Sequence, residues 1–193
     1  MPNNLFEIRS IGDIQSKDER TIEGYAAVFN SLSQDLGGFK EIIKPGAFAR
    51  SLQSGKDVKA LAGHNWERVL GSTKSGTLQL REDARGLHFS VQLPETGYAR
   101  DLYELVKRQD VSGASFAFRV PKGGETFKRS SDGIVRELSA LEVLEVSVVG
   151  NPAYEDTQVA ARSLELWRKE SDQTAADAVL RLARMRLRLA EID

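Results

Sequence analysis

Acyl transfer by a covalent route needs a nucleophile, a base beside it and a group that orients the base. This sequence offers few candidates for each role. It has no cysteine and only two histidines in 193 residues. The nucleophile is therefore a Ser, Thr or Lys, and an imidazole base is His64 or His88. His88 lies in "GLHFSVQL", where strand alternation sets it opposite Leu87 and Phe89, on the face turned to solvent. His64 lies in "LAGHNWERVLGS", at the end of an apolar run and before a turn into another strand. A histidine at a strand end can project into a cleft, and His64 is the better base. As a plain structural residue it would be part of a loop.

The segment "VSGASFAFRV" carries the best nucleophile. If residues 114–120 form a strand, Phe116, Phe118 and Val120 share a core face, and Ser115, Ala117 and Arg119 share the other. The small neighbour at Ala117 leaves room beside Ser115 for a substrate backbone, and Gly113 allows close approach of the main chain. Ser112 precedes the regular alternation and is a weaker candidate. Read on local grounds alone, Ser115 is more simply a half-exposed strand serine.

The orienting group is sought in "LEVLEVSVVG". Regular alternation puts Glu142, Leu144, Val146 and Val148 on one face, and Val143, Glu145, Ser147 and Val149 on the other. A carboxylate in line with apolar residues is costly to bury unless something hydrogen-bonds it, and a histidine N–H would do so. Glu142 fits this description better than Glu145, which is held in reserve. The plain alternative is a carboxylate at a sheet edge, satisfied by water.

These candidates must be positioned by a mostly β framework. "TIEGYAAVFN", "TLQL", "GLHFSVQL", "VSGASFAFRV" and "SALEVLEVSVV" have strand lengths and strand residues, bounded by Gly, Asp, Ser and Lys. "PGAFARSLQSG" reads as a short helix between Pro45 and Gly55. "TGYARDLYELVKRQ" reads as a longer one, with Tyr98, Leu102, Leu105 and Val106 on one face. The fold class expected is α+β, mostly β: a closed or partly open β-barrel with surrounding helices. After "LWRKESDQ" the composition changes. Thr174 and Asp177 form a capping box for a basic helix in which Ala175, Ala178, Leu182, Met185, Leu189 and Ile192 fall at heptad-like spacing. The domain boundary is accordingly placed at 160/161, with residues 161–193 a linker and amphipathic C-terminal helix. That helix docks on its own domain, on a partner or on a second copy.

Composition excludes several classes. A formal net charge of −1 gives no global electrostatic case for nucleic acid or a membrane surface. The lack of cysteine rules out disulfides and thiolate zinc sites, and two histidines make a structural zinc improbable. No metal and no cofactor are expected. No stretch reaches the ~20 apolar residues of a membrane span, and "MPNNLFEIRS" lacks a signal-peptide core, so an intracellular protein is expected. "KSGTLQLREDARG" and "VPKGGETFKRSSDG" contain glycine and lysine but match no phosphate loop and read as hairpin turns.

Six elements in this order, "IEGYAAVFN", "EIIKPGAFARSL", "LAGHNWERVLG", "GLHFSVQL", "SGASFAF" and "LEVSVVGNPAY", resemble the prohead (capsid maturation) proteases of tailed bacteriophages. Those are serine peptidases related in fold to the herpesvirus assemblins, and the resemblance spans residues 14–156. It implies a barrel of the herpesvirus-protease type, His64 as general base and Ser115 as nucleophile. In the assemblins the third member is a second histidine five residues before a serine. Counting back from Ser147 gives Glu142. Two departures are noted: Asn65 stands where aspartate is common in the family, and Ala117 where glycine is. The resemblance further implies cleavage of the scaffold, the major capsid protein and the protease itself, inside the assembling prohead in the host cytoplasm. Self-association through the C-terminal helix would fit, and a catalytically silent or latent scaffold protein of the same fold is the alternative.

Overall fold

The computed structural model describes residues 6–11, 14–18, 20–131 and 133–150, and in the tail 164–169, 171, 173, 174, 177 and 181, all helical. The chain divides into two compact units, Met1–Thr157 and Gln158–Asp193. All six expected heptad positions, together with Pro152, lie outside the described residues.

The first unit starts with strands β1 (Glu7–Ile11), β2 (Ile14–Asp18), β3 (Thr21–Val28) and β4 (Lys40–Ile43), then helix α1 (Ala49–Gln53). Strands β5 (Lys59–Ala62), β6 (Asn65–Ser72), β7 (Leu78–Glu82) and β8 (Gly86–Gln92) lead to helix α2 (Gly97–Lys107). Strands β9 (Gly113–Arg119), β10 (Glu125–Ser130), β11 (Gly133–Leu138) and β12 (Glu142–Val149) complete it.

The strands form three sheets, in the orders β1-β9-β12-β5-β6, β10-β11-β4 and β2-β3-β8-β7. The architecture is mostly β as expected, but no sheet closes into a barrel among the described residues. Instead β3 packs across β1 and β9 through side chains, without a shared ladder. The core lies between these layers. Phe116 stacks on Phe118 with ring centroids 5.0 Å apart and meets Phe48 edge-on at 5.7 Å. In α2 the inward face is made by Tyr98, Ala99, Leu102, Tyr103 and Val106, the i, i+4 rows 98–102–106 and 99–103. Leu105, expected on that face, is exposed because it lies off both rows.

Glu82 starts α1 in place of a capping side chain on the helix itself. Its carboxylate accepts from the Gly46 N–H at 2.6 Å and the Phe48 N–H at 3.0 Å. "ETFKRS", expected to be part of a turn, is strand β10. Phe127 alone of its side chains is buried, so hydrophobic alternation is nearly absent from the sequence.

A buried ionic cluster ties β1 to the β10-β11-β4 sheet. The Arg136 guanidinium, in β11, donates to Glu7 at 2.6 and 2.8 Å, to Glu41 at 2.8 Å and to Glu125 at 2.5 Å. Arg9 donates to Glu41 at 2.8 and 2.9 Å and to Glu7 at 2.9 Å. Burial works against the Arg136 charge, but hydrogen bonding and charge from Glu7, then Glu41 and Glu125, outweigh it and raise its pKa. Replacing Arg136 with Met is expected to cost about 3–5 kcal/mol, because Glu7 and Glu41 would be left with Arg9 and Glu125 would lose its bond to Arg136. A urea unfolding curve with a lowered midpoint and an unchanged slope is the expected readout.

Candidate active site

His64 owes its position to a tight hairpin. Strand β5 ends at Ala62 and β6 begins at Asn65, and these two residues pair, so Gly63 and His64 alone make the turn. Both have left-handed backbones, with φ of 61° and 58°, as a two-residue type I′ connection requires. Glycine accepts this freely. Histidine does so at a cost of about 1–2 kcal/mol, which the surrounding contacts must offset.

Those contacts come from β12. His64 Nδ1 lies 2.6 Å from Glu145 Oε1. The His64 main-chain N–H donates to Ser147 Oγ at 3.0 Å, and the Ser147 hydroxyl donates to Glu145 Oε2 at 2.6 Å. Glu145 and Ser147 are almost completely buried, whereas the His64 ring is partly open. With Glu145 ionised, and so only accepting, Nδ1 is the donor and a neutral ring keeps its lone pair on Nε2. This is the protonation state a general base needs.

The carboxylate against His64 is thus Glu145, and Glu142, the residue expected there, is elsewhere. Glu142 pairs with Lys56 and stays partly exposed. The hydrogen bond from Lys56 lowers its pKa, against a smaller effect of burial. The reason is a β-bulge. In the β12–β9 ladder Val143 pairs with Phe118 and Glu145 with Ala117, so Leu144 is an extra residue. Regular alternation would set the two glutamates on opposite faces. The bulge puts both on the face of Ser115, Ala117 and Arg119, opposite Arg119 and Ala117 respectively.

Ser115 lies on this same face, directly across the ladder from Ser147. It is fully buried, not half-exposed, and its hydroxyl donates to the Arg9 carbonyl of β1 at 2.9 Å. The ladder therefore brings Ser115, Ser147, Glu145 and His64 into one neighbourhood. Ser112 lies outside it, just before β9. His88 lies in a different sheet: it packs edge-on against Tyr25 in the β2-β3-β8-β7 sheet. Burial, then the charge of Arg81, lowers its pKa.

A groove of about 430 Å³ opens beside His64 and Glu145, lined also by Ala117, Arg119, Trp66 and Phe6. Trp66 and Phe6 are exposed apolar side chains at its rim. Arg119 Nε is buried with no hydrogen-bond partner among the described residues. Asp57, also on the wall, is bound by Lys59 and by the Lys74 N–H, which hold its carboxyl down to about 2. A larger hollow of about 510 Å³ beside α2 is lined by Arg20, Glu95, Arg100 and Tyr103, among others, and by no serine, threonine or histidine. No group of side chains suited to a metal ion occurs among the described residues. Nor is any helix among them long and apolar enough to cross a membrane.

The sequence matches the family described as Caudovirus prohead serine protease over residues 6–170. The chain belongs to this family. Its fold is similar to that of the bacteriophage T4 capsid assembly protease gp21, with a TM-score of 0.54 and 7% sequence identity. The similarity covers 75% of this chain and 96% of the T4 chain. No curated protein matches the sequence. A histidine whose Nδ1 meets a buried carboxylate at the edge of an open groove has the arrangement that general-base chemistry uses. The missing signal for Glu145 was the bulge, which no residue type in "LEVLEVSVV" announces.

Proposed function

We propose that this chain is a serine endopeptidase that cleaves the scaffold and major capsid proteins of its phage, and itself, within the assembling prohead. Ser115 is the nucleophile, His64 the base and Glu145 the orienting carboxylate. The observation that carries the reading is the His64 Nδ1–Glu145 contact of 2.6 Å, made by a buried carboxylate beside an open groove in a chain of this family. Ser115 Oγ would attack the scissile carbonyl carbon while His64 Nε2 takes its proton. The tetrahedral intermediate collapses as that proton passes to the leaving amine, and water, deprotonated by the same nitrogen, releases the acyl group. Trp66 and Phe6 offer the apolar surface against which a peptide would lie, and Arg119 offers a donor to one of its acceptors.

A latent resting state is the second reading, favoured by one observation. The Ser115 hydroxyl points at the Arg9 carbonyl, and Arg9 is locked in the ionic cluster, so the hydroxyl must turn before it can meet His64. The test is intact mass over time for the chain mixed with its phage scaffold and capsid proteins. Discrete fragments support the peptidase. Fragments that appear only in assembled proheads, and not with the dilute chain, support latency. No fragments in either setting would overturn both.

A further inference from the structure

Ser147 completes a closed ring of hydrogen bonds that neither the base nor its carboxylate needs for the chemistry itself. The ring runs from the His64 main-chain N–H to Ser147 Oγ, from the Ser147 hydroxyl to Glu145 Oε2, and from Glu145 Oε1 back to His64 Nδ1. One hydroxyl thus holds the backbone of the base and the far oxygen of the carboxylate that grips its ring. We propose that Ser147 is a positioning residue of this site, fixing the left-handed turn at His64 and the rotamer of Glu145 together. The inference rests on the serine peptidase reading only for its effect on rate, not for the geometry.

Three features make the hydroxyl necessary rather than incidental. His64 has φ of 58°, a conformation that a non-glycine residue holds only when its surroundings over-determine it. The bond to its N–H supplies that constraint at the residue concerned. Glu145 is nearly fully buried, and an ionised carboxylate there needs donors on both oxygens; Ser147 and His64 supply one each. Ser147 in turn is set by two ladders, opposite Ser115 on β9 and beside Leu61 on β5. Its Oγ is therefore held by the sheet, while His64 is held only by the hairpin tip. The rigid element positions the strained one.

Threonine, alanine and valine at position 147 separate the hydroxyl from the packing. Thr keeps the hydroxyl, Val has nearly its shape without it, and both suit a strand. Ser147→Ala and Ser147→Val are expected to lower kcat about 10- to 100-fold, the worth of one hydrogen bond to a charged group, with KM changed less than about threefold. Ser147→Thr should restore most of the loss. A second readout does not depend on catalysis. With only two histidines in the chain, ¹⁵N-histidine labelling in a His88→Gln background leaves one imidazole to observe. The wild-type His64 Nδ1–H should resonate far downfield, as a proton shared with a carboxylate does. The signal should broaden or move upfield in the Ala and Val variants and persist in Thr.

Equal kcat and an unchanged Nδ1–H signal in Ser147→Val would overturn the proposal. So would equal damage in the Thr and Val variants, since volume rather than the hydroxyl would then be responsible. A wild-type chain that cleaves nothing, but whose Nδ1–H signal depends on the hydroxyl as described, would leave the positioning role standing and remove the peptidase reading instead.

Discussion

Replacing Ser115 with alanine should reduce cleavage of the scaffold by about 10⁴-fold or more, with little change in folding. The size follows from the role: without Oγ no acyl-enzyme forms, and what remains is the binding and electrostatic help of the groove. The small effect on folding follows from the environment. Ser115 gives one hydrogen bond, to the Arg9 carbonyl, and its neighbours on the same face are Ala117 and, across the ladder, Ser147. Losing that bond should cost about 1 kcal/mol. Rate by intact mass and stability by thermal unfolding therefore separate. If the alanine variant cleaves at the wild-type rate, the nucleophile is another residue. If it fails to fold, Ser115→Cys offers a check, since it keeps a nucleophilic atom in place of the hydroxyl.

The same burial shows what the resting site lacks. On the proposed mechanism, a Ser115 hydroxyl that donates to a backbone carbonyl is not yet donating to His64, and in proteases without bound substrate such contacts are commonly loose. Here the competing acceptor belongs to β1, whose Glu7 and Arg9 side chains bind Arg136 and Glu41 on a different sheet. The cluster that stabilises β1 also holds the acceptor that occupies the serine.

Where His64 and Ser115 sit in the fold was legible in the sequence for physical reasons. His64 stood between an apolar run and a turn, and the structure puts it at a hairpin tip. Ser115 fell in a strand whose alternating Phe116 and Phe118 fixed which face it shared with Ala117 and Arg119. Strand β9, which carries Ser115, and strand β12, which contacts His64, were likewise marked by phenylalanines in the one and valines in the other. What escaped was anything depending on pairing. β1 and β10 have charged, weakly alternating sequences and exist because partners cover them. Ser115 is buried rather than half-exposed because β1 lies against β9. A barrel was expected from strand content, but closure depends on which edges meet, and strand lengths do not encode that.

The choice between two glutamates turned on a single extra residue, and it gives the sharpest test of the site. Glu145→Gln should lower the cleavage rate by about 10⁴-fold, whereas Glu142→Gln should leave it within about threefold. The amide keeps the shape of Glu145 but carries no charge. If its NH₂ faces His64, Nδ1 must accept, the ring proton moves to Nε2 and the base is blocked. If its oxygen faces His64, the tautomer survives, but the imidazolium formed during attack loses its counter-charge. Either orientation costs rate, and neither disturbs the groove, so KM should change little. Glu142 makes its bond with Lys56, partly in solvent, where the loss of an ion pair is worth at most about 1 kcal/mol. Were Glu142→Gln the inactive variant and Glu145→Gln active, Glu145 would not be the orienting carboxylate. An inactive Glu145 variant beside an active Glu142 variant would mean that the register slip in β12 is what delivers a carboxylate to the base.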